Sequence, residues 1–277
     1  MPMQAEGNAA IRLIACDMDG TLLDSRKRLP RDFAAVFAAL QARGTIFAVA
    51  SGRQYAVLRR DMEPYAQQML FICENGALVM HRGKRLLIDP LDAGDLPAIL
   101  GAVRGLQGVY PVVCRAETAY IERSASQEFI SNTCMYYPSV QVVEDLSVCL
   151  GSQDVCKVAF YDEGDAQTHE LPALQRALGE RVAVILSGEH WVDVMKPGVS
   201  KGKAMRALQE QLHIAPEACM AFGDYLNDCE LLQSVGESYA MENAHPALRA
   251  VARHIAPSND EDGVMRVIRS RFQLQDI

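Results

Sequence analysis

The stretch Ile11-Arg12-Leu13-Ile14-Ala15-Cys16 is apolar except at Arg12 and stops abruptly at Asp17-Met18-Asp19-Gly20. A short run that is apolar on both alternating faces suits a strand covered on two sides, as at the centre of a parallel sheet. Residues 45–50 form a second such run, followed at once by Ser51-Gly52-Arg53, and Leu70–Cys73 a third, followed by Glu74-Asn75-Gly76. Between the first two, Pro30 opens a helical pattern with Phe33, Val36, Phe37 and Leu40 on one face, and Gly44 stops it. Another helix is predicted from the Arg53 turn through Met62. Strand, helix, strand, helix, strand with short connections is the α/β pattern.

Outward from this start, the character of the chain changes. From about Lys84 to Gly188 the spacing predicts short strands at 109–114, 140–143, 155–161 and 182–187, and helices at 91–107 and 165–178. Gly and Pro interrupt more often there. The alternation then returns: Trp191–Met195, a helix over Lys201–Leu212, a strand at 219–222, a helix at 228–235, a strand at 238–241, and helices at 245–253 and from Gly263. The organisation expected is a core domain of residues 1–83 and 189–277, with an α+β domain of residues 84–188 inserted into it.

The 277 residues, 49% hydrophobic and 22% charged, exclude wholesale disorder. No apolar run approaches the ~18 residues that a membrane span needs. Residues 1–10 lack basic residues and an apolar segment before a cleavage site, so they read as a loose tail rather than a signal peptide, and the chain as cytoplasmic. A net charge of −8 disfavours nucleic acid as a partner. The eight cysteines include no C-x-x-C pair, so zinc spacing is absent, and they read as reduced thiols. Cys16, Cys73 and Cys219 sit in apolar runs as small buried hydrophobes.

In open parallel sheets, ligands bind outside the carboxyl ends of the strands. The residues at those ends are Asp17 and Asp19 after the first strand, Ser51 after the second, Asn75 after the third, and Asp224, Asn227 and Asp228 after Phe222. Asp, Ser and Asn are also ordinary helix caps and turn formers, so each alone carries little. Asp17-x-Asp19 is harder to dismiss, because two carboxylates after a buried strand repel without helping the fold. Like charges ~4 Å apart cost about 4 kcal/mol at an effective dielectric of ~20. Such neighbours need a cation or a shared proton, and an all-oxygen set favours a hard ion such as Mg²⁺. Lys201 is a second anomaly. It stands at a predicted helix start, where the macrodipole disfavours cations, and gains nothing there unless it faces an anion.

Asp17-Met18-Asp19-Gly20-Thr21-Leu22-Leu23, Ser51-Gly52-Arg53, Gly198-Val199-Ser200-Lys201-Gly202 and Gly223-Asp224-Tyr225-Leu226-Asn227-Asp228 occur in that order. Together with Glu74-Asn75-Gly76, this set resembles the haloacid dehalogenase-like hydrolases, and within them the Cof-type phosphatases. The resemblance implies a Rossmann-like parallel-sheet core with a type-two cap as the inserted domain. It implies a phosphatase acting on small phosphorylated metabolites, such as sugar phosphates or phosphorylated cofactors. A monomer or homodimer is expected, with the net charge and the lack of a span-length apolar run pointing to no nucleic-acid or membrane partner. Asp17 would be the nucleophile that forms an aspartyl-phosphate, and Asp19 the general acid and then the base. Thr21 would support the loop and the orientation of Asp19. Ser51, Gly52 and Arg53 would meet the phosphoryl group, Lys201 would neutralise it and Asn227 would orient phosphate or Lys201. Mg²⁺ would be held by the Asp17 side chain, the Asp19 backbone carbonyl and Asp224, with Asp228 as ligand or supporting group. A phosphomutase shares the nucleophile. A phosphoryl-receiver module shares the carboxylates and lysine, but is about one small domain long and needs neither Asp19 nor an inserted domain.

Overall fold

A computed structural model of the protein describes residues 10–274. The expected loose tail falls, but for Ala10, on residues 1–9, outside the described ones. In chain order the strands are β1 (Leu13–Asp17), β2 (Ile46–Ala50), β3 (Leu70–Cys73), β4 (Leu78–His81), β5 (Lys84–Ile88), β6 (Val109–Arg115), β7 (Ala119–Glu122), β8 (Val140–Val143), β9 (Val155–Asp162), β10 (Ala183–Gly188), β11 (Trp191–Met195), β12 (Cys219–Gly223), β13 (Glu237–Met241) and β14 (His254–Ala256). The helices are α1 (Phe33–Ala42), α2 (Tyr55–Asp61), α3 (Leu96–Gly101), α4 (Gln127–Tyr136), α5 (Glu170–Leu178), α6 (Lys201–Leu212), α7 (Cys229–Gln233), α8 (Pro246–Val251) and α9 (Gly263–Phe272).

The fold is α/β, and the chain forms two compact units. The first takes the residues up to Ser51, Met69–Ile72 and those from Ser200 onward; the second takes Gly52–Gln68 and Cys73–Val199. The second unit thus contains the whole of residues 84–188 together with 52–68, 73–83 and 189–199.

In the first unit, strands run in the order β14-β13-β12-β1-β2-β3, every neighbouring pair parallel. All five residues of β1 are buried, as are those of β12, which fits their two-sided apolar sequence. The helices cover the faces with apolar stripes. On α1, Phe33, Val36, Phe37 and Leu40 are buried, with Phe33 stacked on Phe37 at 5.7 Å and edge-on to Phe47 of β2 at 5.8 Å. β1 has β2 on one side and β12 on the other, so the chain winds outward in both directions from it. Strands remote in sequence therefore end side by side, with Cys16 opposite Phe222, and in open parallel sheets such a reversal of strand order is where ligands bind.

The second unit is built on a six-stranded sheet in the order β10-β11-β9-β6-β7-β8. β9 runs antiparallel to both β11 and β6, and all eight of its residues are buried. One apolar cluster includes Leu96, Ile99, Val113, Phe160 and Leu174; another gathers Val112, Ile121, Phe129, Ala159 and Tyr161. β4 and β5 form an antiparallel hairpin.

The sequence reading is shifted in two places and silent in others. The helix expected at 91–107 is α3 alone, with Pro97 in its first turn; beyond Gly101 the chain takes positive φ at Gly105 (+93°) and Gly108 (+74°), which a continuing helix forbids. The helix expected from 165 begins at Glu170, because the Asp165 carboxylate accepts from Gln167 N–H (3.0 Å) and Thr168 Oγ1 (2.9 Å) and closes a turn instead. Strands β4, β5, β7 and β14 and helix α4 carry no expectation from sequence. Cys16, Cys73 and Cys219 are buried, as their apolar runs implied. Among the described residues, no helix is long and apolar enough to cross a membrane.

Candidate active site

β1 ends on Asp17 and β12 ends on Gly223, so parallel pairing of the two strands brings Asp17 and Asp224 to one edge. A one-turn helix at Leu226–Asp228 then returns Asp228 to the same place, fully buried. The carboxylates of Asp17, Asp224 and Asp228 offer oxygens within 4.8 Å of one another. Residues from opposite ends of the sequence thus make one acidic cluster.

Lys201 answers it. The first residue of α6 is completely buried, and its Nζ donates to Asp17 Oδ1 at 2.5 Å and to Asp228 Oδ1 at 2.7 Å. This explains a cation at a helix start: the lysine is not a solvated surface group but the counter-charge of the cluster. Two local features hold it there. Ser200 caps α6, its Oγ accepting from Lys203 N–H at 3.1 Å. Gly202 lets α6 approach α7, since a Cβ there would overlap the Glu230 backbone.

The three aspartates are not equivalent. Asp228 engages both oxygens: Oδ1 accepts from Lys201, and Oδ2 accepts from the backbone N–H of Asp224 (3.1 Å) and Tyr225 (3.3 Å). It shapes the turn and aims Lys201. Asp224 is half-buried and accepts from Thr21 Oγ1 at 3.0 Å. Thr21 therefore holds Asp224, where the resemblance had implied support for Asp19. Gly20 sits against Asp224 with φ +79°, and any Cβ there would overlap that carboxylate. The Gly20 carbonyl accepts from Asn243 Nδ2 (2.8 Å), and Asn259 Nδ2 donates to Leu23 O (2.9 Å), so two asparagines tie down the loop after β1. Nothing in the sequence pattern had singled them out.

The charges do not cancel. Three carboxylates against one ammonium leave a formal charge of −2 in a buried place. Burial pushes the Asp17 carboxyl up to about 8; Lys201 opposes the shift and Asp228 and Asp224 add to it. Asp224 is also raised, by burial first and by Asp228, with the Thr21 hydrogen bond opposing. For Lys201 burial alone would lower the ammonium, but Asp17 and Asp228 hold it well above the usual lysine range. Burial first, and the excess of carboxylates after it, favour a proton on the cluster. A divalent, oxygen-seeking cation meets the same need, and a set of carboxylate oxygens fits a hard ion such as Mg²⁺.

Asp19 stands apart from the cluster. Its carboxylate lies 2.7 Å from Lys27 Nζ, and its side chain is 36% exposed, so it faces outward, where a leaving group could be met. Ser51, at the end of β2, is buried, and its N–H donates to Ile72 O at 2.9 Å. Asn227 is exposed on the Leu226–Asp228 turn, while the lysine it was expected to orient is held by Asp17 and Asp228. Gly52 and Arg53 belong to the second unit, where Arg53 pairs with Asp61 of α2 at 2.8 Å.

Residues 14–268 match the haloacid dehalogenase-like hydrolases, and the chain belongs to that family. The 5-amino-6-(5-phospho-D-ribitylamino)uracil phosphatase YbjI of Escherichia coli K12 is 32% identical over 265 residues, covering 94% of this chain and 95% of that protein. An HMP-PP phosphatase of Escherichia coli O6:H1 is 30% identical over 247 residues, covering 88% and 89%. Among solved structures, a Eubacterium rectale protein superposes with a TM-score of 0.85 at 28% identity, over 94% of this chain and 99% of that one. A Thermotoga maritima protein shares the fold, with a TM-score of 0.84 at 22% identity over 94% and 97%. The chain is an enzyme of the Cof type within this family, a phosphomonoester hydrolase.

Proposed function

We propose that this enzyme hydrolyses phosphomonoesters of small soluble metabolites in two steps through an aspartyl-phosphate on Asp17, with Mg²⁺ as cofactor. The observation that carries the reading is the convergence of Asp17, Asp224 and Asp228 on the buried Lys201 at the carboxyl ends of β1 and β12. Asp17 and Asp224 would hold the ion through their side chains and Asp19 through its backbone carbonyl, with Asp228 behind them. Bound there, the ion would supply charge neutralisation for the transferring phosphoryl group.

Lys201 occupies Asp17 Oδ1, which fixes the carboxylate and leaves Oδ2 to meet phosphorus. As the Asp17–phosphorus bond forms, the bond to the leaving oxygen breaks and Asp19 gives that oxygen its proton. Asp19 then takes a proton from the water that attacks the aspartyl-phosphate, which frees phosphate and restores Asp17. Ser51 and the backbone at Gly52 would donate to phosphoryl oxygens, and Asn227 and Arg53 would orient the phosphate. This is positioning and charge neutralisation, the logic of phosphoryl transfer in general.

Residues 84–188 would serve as the cap that selects substrate. The relative named for a ribitylaminouracil phosphate supports a small phosphorylated metabolite as the substrate class. The same reading places the enzyme in the cytoplasm as a monomer or homodimer. Incubating the purified protein and Mg²⁺ with a panel of phosphorylated metabolites, and analysing the products, tests the proposal. Free inorganic phosphate is expected. An isomerised sugar phosphate would make the enzyme a mutase, and a phospho-protein lasting hours without turnover would make it a receiver.

A further inference from the structure

The second unit holds a buried ionic cluster that the reaction sequence above leaves unused. Lys157 on β9 is 6% exposed. Its Nζ lies 3.0 Å from Glu74 Oε2, 3.0 Å from Asp193 Oδ2 and 3.4 Å from the Gly52 carbonyl oxygen. An ammonium sealed into a sheet is costly unless its partners are well placed, so the identity of those partners is informative. Two of them flank points where the chain passes from one compact unit to the other, at Ser51–Gly52 and Ile72–Cys73.

The backbone at these partners is strained. Glu74 and Asn75 are consecutive non-glycine residues with positive φ, +49° and +53°. Such conformations persist only where the surroundings over-determine them, and they cluster at functional sites. Here the surroundings do so. Glu74 N–H donates to Arg53 O at 3.1 Å, and the Glu74 carboxylate is buried against Lys157. The Asn75 carboxamide lies over Gly52, so closely that a Cβ on Gly52 would come within 3.1 Å of its Nδ2. The turn Glu74-Asn75-Gly76 and the segment Gly52-Arg53 are clamped together, with Lys157 as the pin. Because a trans peptide points its C=O and N–H in opposite directions, a Gly52 carbonyl turned toward Lys157 turns the Arg53 N–H to the other side.

We propose that Lys157 is a positioning residue: through Gly52 and Glu74 it holds the backbone of Ser51-Gly52-Arg53 in the conformation that phosphoryl transfer requires. The proposal rests on the phosphatase reading, in which that segment meets the phosphoryl group. A displacement of ~1 Å there costs on the order of 100-fold in rate, because the interactions at stake are made most strongly in the transition state. The effect therefore falls on kcat rather than on KM.

The test uses the full chain with p-nitrophenyl phosphate and Mg²⁺. Lys157→Met alone strands two buried carboxylates. The triple variant Lys157→Met/Glu74→Gln/Asp193→Asn removes all three charges at nearly constant shape and isolates the positioning role from the ionic imbalance. The triple variant is expected to fold, by circular dichroism, and to lose about 100-fold in kcat with KM within about threefold of wild type. Inhibition by orthovanadate, which mimics the five-coordinate geometry, weakens in step with kcat, while inhibition by inorganic phosphate stays within about threefold. Lys157→Arg, which keeps a cation beside the carbonyl, retains kcat within about tenfold. Wild-type kcat in the triple variant, a loss confined to KM, or failure of that variant to fold overturns the proposal. A wild-type enzyme that releases phosphate neither from this ester nor from any member of the metabolite panel would instead defeat the phosphatase reading before any variant is made, and the proposal with it.

Discussion

Two buried lysines, one in each unit, each sit between two carboxylates. Lys201 is held by Asp17 and Asp228 at 2.5 and 2.7 Å; Lys157 is held by Glu74 and Asp193, both at 3.0 Å. Both ammonium groups are kept well above the usual lysine range by their acidic partners, against the opposing effect of burial. A perturbed titration alone therefore does not tell a reaction centre from a clamp. The distinction lies in what surrounds each ion pair. Around Lys201 a third carboxylate, the half-buried Asp224, raises the formal charge to −2 at the carboxyl edge of a parallel sheet. Around Lys157 two carboxylates leave −1, and the lysine spends its remaining reach on a backbone carbonyl. The first arrangement is short of positive charge and can take a cation. The second has one carboxylate fewer and gives its lysine to a backbone carbonyl.

The comparison breaks most visibly at Asp17. Asp17→Asn is expected to cut kcat by at least ~10⁴-fold, as loss of a covalent nucleophile does. It also removes one excess negative charge, so stability without metal should not fall. Residual hydrolysis within about 100-fold of wild type would contradict the covalent route. Asp19→Asn is expected to slow release of poor leaving groups by roughly 10²–10⁴-fold, with a smaller effect on p-nitrophenol, which leaves without a proton. Equal rates for poor leaving groups in variant and wild type would remove the acid role.

Lys201→Met and Lys157→Met each strand buried carboxylates, and each should lose about 3–5 kcal/mol in denaturant titrations run with chelator. Mg²⁺ separates them. It should return part of the loss in Lys201→Met, where three carboxylates converge, and in Lys157→Met add no more than it adds to wild type. In the wild-type enzyme, Mg²⁺ at 100 times its dissociation constant should add about 2.7 kcal/mol and raise Tm by several degrees, while chelation should silence turnover. Asp224→Asn should abolish that rise. Chelator-insensitive turnover, or the same Mg²⁺ rescue in both lysine variants, would erase the distinction between the clusters.

The first unit was largely legible in the sequence, and for a physical reason. A parallel strand covered on both faces is an uninterrupted apolar run, and the residues at its carboxyl end are the candidates for a site. Asp17, Ser51 and Asp224 could be found that way, and Lys201 as a cation misplaced at a helix start. The supporting contacts were harder to see. Thr21 stood in the quoted motif, but its partner Asp224 lies 203 residues away; Asn243 and Asn259 reach across 223 and 236 residues, and no local pattern marks them. The second unit was read less well because its antiparallel strands are short and unevenly covered. β5 (KRLLI) is exposed or half-buried throughout, and α4 (QEFISNTCMY) lacks an apolar stripe and owes its place to the Ser126 cap and to Phe129 in the core. Lys157 was invisible for a different reason: inside Val155–Asp162 it reads as an interruption of an apolar strand, and its partners lie 83 residues before and 36 residues after it.

The smallest effect concerns a buried carboxyl outside both clusters, Glu170 at the start of α5. It is fully buried, and neither carboxylate oxygen has a hydrogen-bond partner. Burial, with Asp162 and Asp193 adding to it, pushes this carboxyl up to about 9. The folded chain therefore keeps the Glu170 proton at pH values where the unfolded chain has released it. The contribution to stability is complete below the ordinary glutamate range and declines as pH rises from there toward about 9, because ionisation favours the unfolded chain. Glu170→Gln keeps the shape and stays neutral at every pH. It should leave stability near pH 4.5 almost unchanged and add on the order of 1–3 kcal/mol at pH 8, a rise in Tm of several degrees. Neither Lys201 nor Lys157 touches this carboxylate, so a pH-independent loss in Glu170→Gln would show that Glu170 is held as an anion, in a third ionic cluster of its own.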